Sequence, residues 1–345
     1  MNAHISAIFR LFASARQHQR AFLARRPHRS FRRTRRRDYT RSLTIPGYVS
    51  LTAQTLSVLR RHKKLFIGLV AVYVVCSIVI VNVLAQDTYS LLSDSINQAG
   101  SELELGAFYQ AGAIFLGVMT SMFTGGDTDS AYGIAQQFIA GMLVILIWLS
   151  TVWLLRAVSN KQDVRLRDGL YSSGGPFLAT LLLFGLIFVQ SLPIIIAVIG
   201  YSAAASSAIL ENTAILMLFW GAAFLLGVLS LYWMTTTAVA LIIITLPGMY
   251  PMQALRLAGD IVVGRRIRVL LRLMWAVLLI VLTWAIVVIP AILLYELVTQ
   301  YVSFVANIPL IPLVIVVMGA VSVVWGATYV YMLYRSIVND NSEPA

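Results

Sequence analysis

The chain has 345 residues, of which 59% are hydrophobic and only 12% are charged, with a formal net charge of +12. A soluble domain carries about 25% charged residues, so this composition, with a mean hydropathy of +0.83, excludes a soluble globular protein. The apolar residues form long continuous runs, whereas a membrane β-barrel shows short segments of alternating hydrophobicity. We therefore predict an all-α fold, a polytopic bundle of membrane-spanning helices.

The first 47 residues form a basic N-terminal tail. Sixteen of the 26 Lys and Arg residues precede Leu65, and no acidic residue precedes Asp38. We expect a largely disordered cytoplasmic segment, because it is too charged to bury. Three roles fit it: contact with anionic lipid headgroups, binding of RNA or the ribosome, since Phe31 and Tyr39 lie among arginines, and an organelle transit peptide.

Residues 48–64 predict an amphipathic helix, and residues 65–85 predict the first span. A span needs about 20 apolar residues, and this run provides them. The only cysteine, Cys76, lies within it, so no disulfide can form inside the chain. In the amphipathic segment, one helical face is formed by Val49, Ala53, Leu56 and Leu59.

Charge decides the topology of the remaining chain. If the apolar residues 107–123 crossed the membrane, the basic residues after position 155 would lie outside, so we predict that 107–123 lie on or dip into the outer leaflet. Further spans are predicted at residues 134–155, 176–199, 213–246, 269–289 (ending before Pro290) and 312–334. These complete a six-span membrane domain of residues 48–335, followed by a short cytoplasmic tail, 336–345. With both termini inside, every Lys and Arg is cytoplasmic and the outer loops carry only acidic charges.

Residues 245–268, between the fourth and fifth spans, predict an interface helix. Pro247 and Gly248 stop the preceding helix. An apolar stripe then recurs at helical spacing: Met252, Leu255, Ala258, Ile261 and Val262. The charged residues fall elsewhere on the wheel or close the segment: Arg256, Asp260, Arg265, Arg266 and Arg268. We expect the closing arginines to anchor the helix at the aqueous boundary, and Asp260 to pair with Arg256 or with basic residues of neighbouring inner helices.

A weak internal repeat pairs two of the inner segments. Each has a Leu-Arg dipeptide, a glycine eight residues after the arginine and a following span: Leu166-Arg167 with Gly175, and Leu255-Arg256 with Gly264. Residues 48–85 show the same plan without the same spacing. We therefore predict three units, each an inner-surface helix plus a hairpin of two spans. Such repeats are common in transporter folds and equally common in proteins that transport nothing.

A short pattern before the fifth span resembles a known family. Ala254-Leu255 precedes Gly264-Arg265-Arg266 and then a span rich in Leu and Trp. This is similar to the YciC-type inner-membrane proteins and to the membrane domain of some bacterial glycerophosphodiester phosphodiesterases. Uncharacterised bacterial multi-span proteins resemble the chain more strictly at residues 245–251 and 258–260. The resemblance implies a six-span fold in the bacterial inner (plasma) membrane, and it implies no agreed activity and no catalytic residue.

No catalytic or metal-binding constellation stands out in the sequence. The four histidines all lie before Leu65, away from any carboxylate pair, and the common nucleophile, zinc-protease and phosphate-loop motifs are missing. We therefore expect no enzyme activity, no cofactor and no metal. Gln190, near Pro193, is the candidate polar site within the membrane, where an interhelical hydrogen bond is the favoured role. Three threonines are predicted to mark where the fourth span leaves the apolar layer: Thr235, Thr236 and Thr237.

Two function classes remain. A non-enzymatic scaffold or accessory subunit is favoured because no charge lies deep in a span and the surface helices suit a membrane-protein partner. The alternative is a permease for lipids or small apolar solutes, which a cavity lined by Gln190 and the threonines would favour. The expected partners are the lipid bilayer, anionic headgroups through the tail and a membrane protein, whereas nucleic acid or the ribosome is disfavoured.

Overall fold

The regular structure of this chain is helical, as its composition predicts. The computed structural model describes residue 17 and residues 45–81, 134–206, 213–301 and 310–338, and no strand occurs among them. The predicted outer-leaflet segment and nearly all of the basic tail lie outside these ranges. The described residues form nine α-helices: α1 (Tyr48–Arg61), α2 (Lys63–Cys76), α3 (Ile134–Ser159), α4 (Leu166–Ser172), α5 (Phe177–Ser206), α6 (Thr213–Ile243), α7 (Pro251–Val262), α8 (Arg266–Tyr301) and α9 (Leu310–Val338).

Six of the described helices are long and apolar enough to cross a membrane, which confirms the predicted number. The first continues from α2 through the π-helical turn Ser77–Val81. The spanning segments are Lys63–Ile80, Phe138–Ser159, Phe177–Gly200, Ile215–Ile243, Arg266–Val288 and Leu310–Val338. The chain therefore has the architecture of a multi-pass membrane protein.

Among the described helices, α1, α4 and α7 precede the pairs α2–α3, α5–α6 and α8–α9. α4 and α7 are much shorter than the helices that follow them, whereas α1 and α2 have 14 residues each and α2 becomes the longer only with its π-helical turn. The described element order is compatible with the predicted repeat, which stays a prediction.

Two prolines lie inside spanning helices without ending them. Pro193 lies within α5, and Pro290 lies within α8, which runs on to Tyr301. The spanning segment of α8, Arg266–Val288, ends before Pro290 as predicted, although the helix itself continues beyond the proline. A proline removes only one helical hydrogen bond, and membrane helices tolerate it because neighbouring groups and local adjustments satisfy the freed carbonyl.

Residue contacts divide the chain into two compact units. The first comprises Met1–Leu51, Ala179–Leu273 and Val330–Ala345, and the second comprises Thr52–Leu178 and Met274–Tyr329. Each unit therefore draws on segments that are distant in sequence.

Within the second unit, α4 packs closely on α3. Ser150 Oγ donates a hydrogen bond to Ser173 Oγ at 3.0 Å, and both serines are buried. A Cβ added at Gly169 would lie 2.8 Å from side-chain carbons of Leu154, which is itself fully buried. Any side chain at this position of α4 would force Leu154 to shift.

The apolar face predicted for α1 is mainly exposed. Val49 is 74% exposed, and Ala53 and Leu56 are also exposed, whereas the helix buries Leu51 and Thr55. Trp275 Nε1 donates to Thr52 Oγ1 at 3.2 Å, which ties the helix to α8. The large apolar residues of α1 are thus available to lipid, while the protein contact uses one leucine and small polar groups.

Candidate functional site

The site is built around α7, whose limits follow from local chemistry. Tyr250 is extended, with φ −97° and ψ 152°, and Pro251 occupies the first turn, where its missing N–H costs nothing. At the other end Gly264 has φ 82°, in the left-handed region that favours glycine. The predicted helix between the fourth and fifth spans is therefore present, and it ends at Val262.

α7 packs against α6 through small side chains. Ala254, Ala258 and Val262, spaced one turn apart, are fully buried. A Cβ added at Gly259 would lie 4.0 Å from Thr236 Cγ2 of α6, so the two backbones run close together. The predicted apolar stripe is correct at Ala258 and Val262 but wrong at Met252, which is 62% exposed. The remaining two, Leu255 and Ile261, are half-buried.

The structure separates the arginines that the sequence groups with the interface helix. Arg266 and Arg268 belong to α8, the fifth spanning helix. Arg265 lies in the turn and is buried, with 3% of its surface exposed. The expectation that Arg265 stays at an aqueous boundary is therefore wrong, because the turn at Gly264 ends the helical periodicity on which it rested.

The two charged residues of α7, Arg256 and Asp260, do not form the ion pair predicted between them. Arg256 is exposed and makes no ion pair within the described part of the chain, while Asp260 is half-buried. A solvated arginine gains little from an exposed pair, since ordering both side chains offsets most of the attraction. The other predicted pairing of Asp260, with basic residues of neighbouring helices, stays a prediction.

Arg266 lies over an aromatic ring of α6. Its Cζ atom is 4.1 Å from the centroid of the Tyr232 ring, within the range of a cation–π interaction. Arg266 is half-buried, and Tyr232 is 45% exposed. The contact joins the start of α8 to the α6 surface, and it keeps the guanidinium at the edge of the protein.

Arg272 is the residue that sequence reasoning missed. Its Nε donates to Pro46 O at 2.9 Å, its Nη2 donates to Ile45 O and Pro46 O at 2.9 and 2.7 Å, and its Nη1 donates to Arg268 O at 2.9 Å. Only 7% of it is exposed, and the Tyr48 ring centroid is 5.1 Å from Cζ. The sequence did contain a signal for it: Arg272 is a charged residue inside the predicted span 269–289, and such residues mark functional or structural sites.

Gln190 connects α5 to α6. Thr237 Oγ1 donates to Gln190 Oε1 at 2.8 Å, and Ser230 Oγ donates to the Gln190 backbone carbonyl. This is the interhelical hydrogen bonding favoured for Gln190. Thr237 and Ser230 are fully buried, so the polar contacts are shielded within the first unit.

The other two candidate threonines have different surroundings. Thr235 is buried, and its Oγ1 donates to Leu231 O within α6 at 2.7 Å. Thr236 is half-buried and faces Gly259 of α7. Of the three, only Thr237 therefore has a hydrogen bond to α5 among the described residues.

This arrangement can join helices and present a cation. No group of three or more His, Cys, Asp or Glu residues that could hold a metal occurs in the part of the chain that the structure describes. The polar groups instead divide into an arginine that holds a chain segment, an arginine stacked on a ring and a glutamine between two helices.

Comparisons with known proteins complete the description of the site. No protein-family model, no curated protein and no solved structure matches the chain.

Proposed function

We propose that this protein is a non-enzymatic membrane scaffold or accessory subunit. The observation that carries the proposal is that polar side chains in the spans bond other helices. Thr237 donates to Gln190 between α6 and α5, and Trp284 Nε1 donates to Ser322 Oγ at 2.8 Å between α8 and α9. Such bonds contribute about 0.6–2 kcal/mol each to helix association. Polar groups used in this way stabilise the bundle and do not act on a substrate.

The exposed faces of the long helices also support this function. Few residues of the α5 and α6 spans are buried, whereas nearly half of the α3 span is. In a membrane, such faces contact lipid or the helices of another membrane protein, and the second contact is what an accessory subunit needs.

A permease for lipids or small apolar solutes is the second candidate, and one observation favours it. Gln190 is half-buried, and its amide nitrogen has no hydrogen-bond partner in the described part of the chain. A donor of this kind within an apolar span could contact a passing solute.

The variant Gln190→Leu separates the two functions. The full-length protein is purified in native detergent, and the molecules bound to it are identified by mass spectrometry. A scaffold retains a stoichiometric protein partner in both wild type and variant, because Gln190 only joins two helices. A permease instead retains lipid or apolar solute, and Gln190→Leu lowers that occupancy about tenfold, as expected for a loss near 1.4 kcal/mol.

The matched control is Ser191→Ala, one residue along α5. Ser191 Oγ donates only to Phe188 O within the same helix, at 2.7 Å. This change should alter neither partner nor cargo. A folded Gln190→Leu protein that loses apolar cargo, in a preparation without a protein partner, contradicts the scaffold.

We further propose a bacterial inner-membrane location with both termini cytoplasmic. The resemblance to YciC-type proteins supports the compartment. The concentration of Lys and Arg before Leu65 and in the predicted inner segments supports the orientation, since short cytoplasmic segments carry an excess of these residues. In this orientation the basic tail contacts anionic headgroups, and fractionation of the inner and outer membranes tests the compartment.

A further inference from the structure

The Arg266 side chain has unused hydrogen-bond donors. In the described part of the chain, Arg266 stacks on Tyr232 but makes no hydrogen bond and no ion pair. Arg272, by contrast, donates to three backbone carbonyls. A guanidinium carries five N–H donors in its plane. Stacking occupies one face of that plane and leaves the donors at its edge available for an acceptor outside the described chain.

Exposed aromatic and aliphatic side chains lie near the two partners of this contact in sequence. Tyr232 and Trp233 of α6 are 45% and 44% exposed. Ile267 and Leu271 of α8 are exposed as well. Tyrosine and tryptophan favour the headgroup level of a bilayer, where one end of the ring is apolar and the other is wet. The start of α8 and the facing part of α6 thus combine a cation with lipid-compatible surface.

We propose that Arg266, held by Tyr232, binds the phosphate of an anionic phospholipid headgroup. Arginine recognises phosphate through two parallel N–H···O bonds, which are stronger than bonds between neutral groups. Stacking on Tyr232 holds the guanidinium in one plane and so lowers the entropy lost on binding. The acyl chains run along exposed apolar residues such as Trp233 and Ile267. A soluble anion would gain nothing from those residues, which is why a lipid is the ligand.

This site is separate from the contact predicted for the basic tail. The tail attracts headgroups diffusely through many charges, whereas Arg266 would bind one headgroup at a fixed place on α8. The inference applies whether the chain is a scaffold or a permease, because the lipid would bind on the lipid-facing surface of the protein.

The test counts lipids that stay bound to the full-length protein. Wild type and variants are extracted from vesicles containing equal amounts of phosphatidylglycerol and phosphatidylcholine, and the retained lipid is measured by native mass spectrometry. We expect Arg266→Gln to lower phosphatidylglycerol retention about tenfold. Arg256→Gln is the matched control, since Arg256 is an exposed arginine without an ion pair in the described residues, and it should leave retention unchanged.

A second pair of variants keeps the test decisive if Arg266→Gln does not fold. Arg266→Lys keeps the charge without the planar fork, and Tyr232→Leu keeps the arginine without the stack. Both should weaken phosphatidylglycerol retention in part and affect phosphatidylcholine less, because the choline cation of phosphatidylcholine offsets the charge of the same phosphate group. Equal retention by wild type and the Arg266 variants overturns the proposal, and so does an equal loss in Arg256→Gln. Displacement of the lipid by inorganic phosphate would show a site for soluble anions and overturns it as well.

Discussion

Arg272 shows how a single charge is accommodated inside an apolar helix. Desolvating an unpaired cation costs several kcal/mol, yet Arg272 is almost fully buried in α8. Its acceptors are backbone carbonyls, two of them from Ile45 and Pro46. Proline lacks a backbone N–H, so this segment offers acceptors to a side chain that can only donate. The result is a fixed attachment of the residues just before α1 to the start of α8.

We predict that Arg272→Leu lowers the free energy of unfolding by about 3 kcal/mol, because hydrogen bonds to charged groups contribute about 1.5–3 kcal/mol each. Arg272→Lys should have an intermediate effect, since lysine lacks the planar fork that reaches two carbonyls together. Thermal unfolding of the purified protein in detergent measures both changes.

The matched control for this prediction is Arg60→Leu. Arg60 of α1 is exposed and has no side-chain partner in the described residues, so this change should stay within about 0.5 kcal/mol of wild type. If Arg272→Leu proves as stable as Arg60→Leu, the carbonyl contacts do not hold the segment.

At the scale of the element, α1 and α7 expose several large apolar residues and bury mostly small ones, with Leu51 and Val262 as buried larger residues. α7 buries Ala254 and Ala258 and exposes Met252, while α1 buries Thr55 and exposes Val49. Lipid tails solvate large apolar side chains as well as a protein core does, so helix contacts in membranes favour small residues that let backbones approach. An apolar stripe therefore identifies a surface helix but does not say which of its residues meet the protein.

Ala258→Leu tests this close packing of α7 on α6. Adding a branched side chain to a fully buried position should cost about 1–3 kcal/mol through forced displacement of its neighbours and lower the yield of folded protein in detergent. Met252→Leu, at the exposed start of the same helix, should leave yield and melting temperature unchanged. Similar behaviour of the two variants would indicate that α7 is not held against α6.

The glycines at matching positions of the sequence repeat provide a second test at this scale. Gly264 has φ 82°, whereas Gly175 is not among the positive-φ residues, and a Cβ there would meet nothing within 4 Å. Gly264→Ala should therefore cost about 1–2 kcal/mol of backbone strain, while Gly175→Ala should be neutral in the same melting experiment. Equal effects would show that the turn between α7 and α8 relaxes without a glycine.

For the whole molecule, the number of spans can be predicted from the sequence, because bilayer thickness sets their length. The partners of individual polar side chains cannot, because they depend on tertiary contacts. Six spans were predictable because each needs a long apolar run. The hydrogen bond at Gln190 was predictable in kind, since a polar side chain in a span requires a partner, but Thr237 as its donor was not. The role of Arg272 was missed because two of its acceptors lie 226 and 227 residues away in sequence. The burial of Arg265 was missed because it depends on the turn at Gly264.

The orientation of these six spans in the membrane is the last prediction. Asp163 is exposed in the segment between α3 and α4, close to Lys161, Arg165 and Arg167. Because such basic residues resist translocation, a cysteine at Asp163 should stay unlabelled by an impermeant maleimide in intact cells. Cysteines at Asp94 and Glu211, both outside the described residues and in predicted outer loops, should react.

The labelling requires a background without reactive thiols, which Cys76→Ser provides because Cys76 is the only cysteine. A membrane-permeant maleimide should label all three positions, which separates inaccessibility across the bilayer from burial in the protein. Labelling at Asp163 without labelling at Glu211 would show that the topology is the inverse of the predicted one. The basic tail and α7 would then face away from the cytoplasm, where the positive-inside asymmetry could not have placed them.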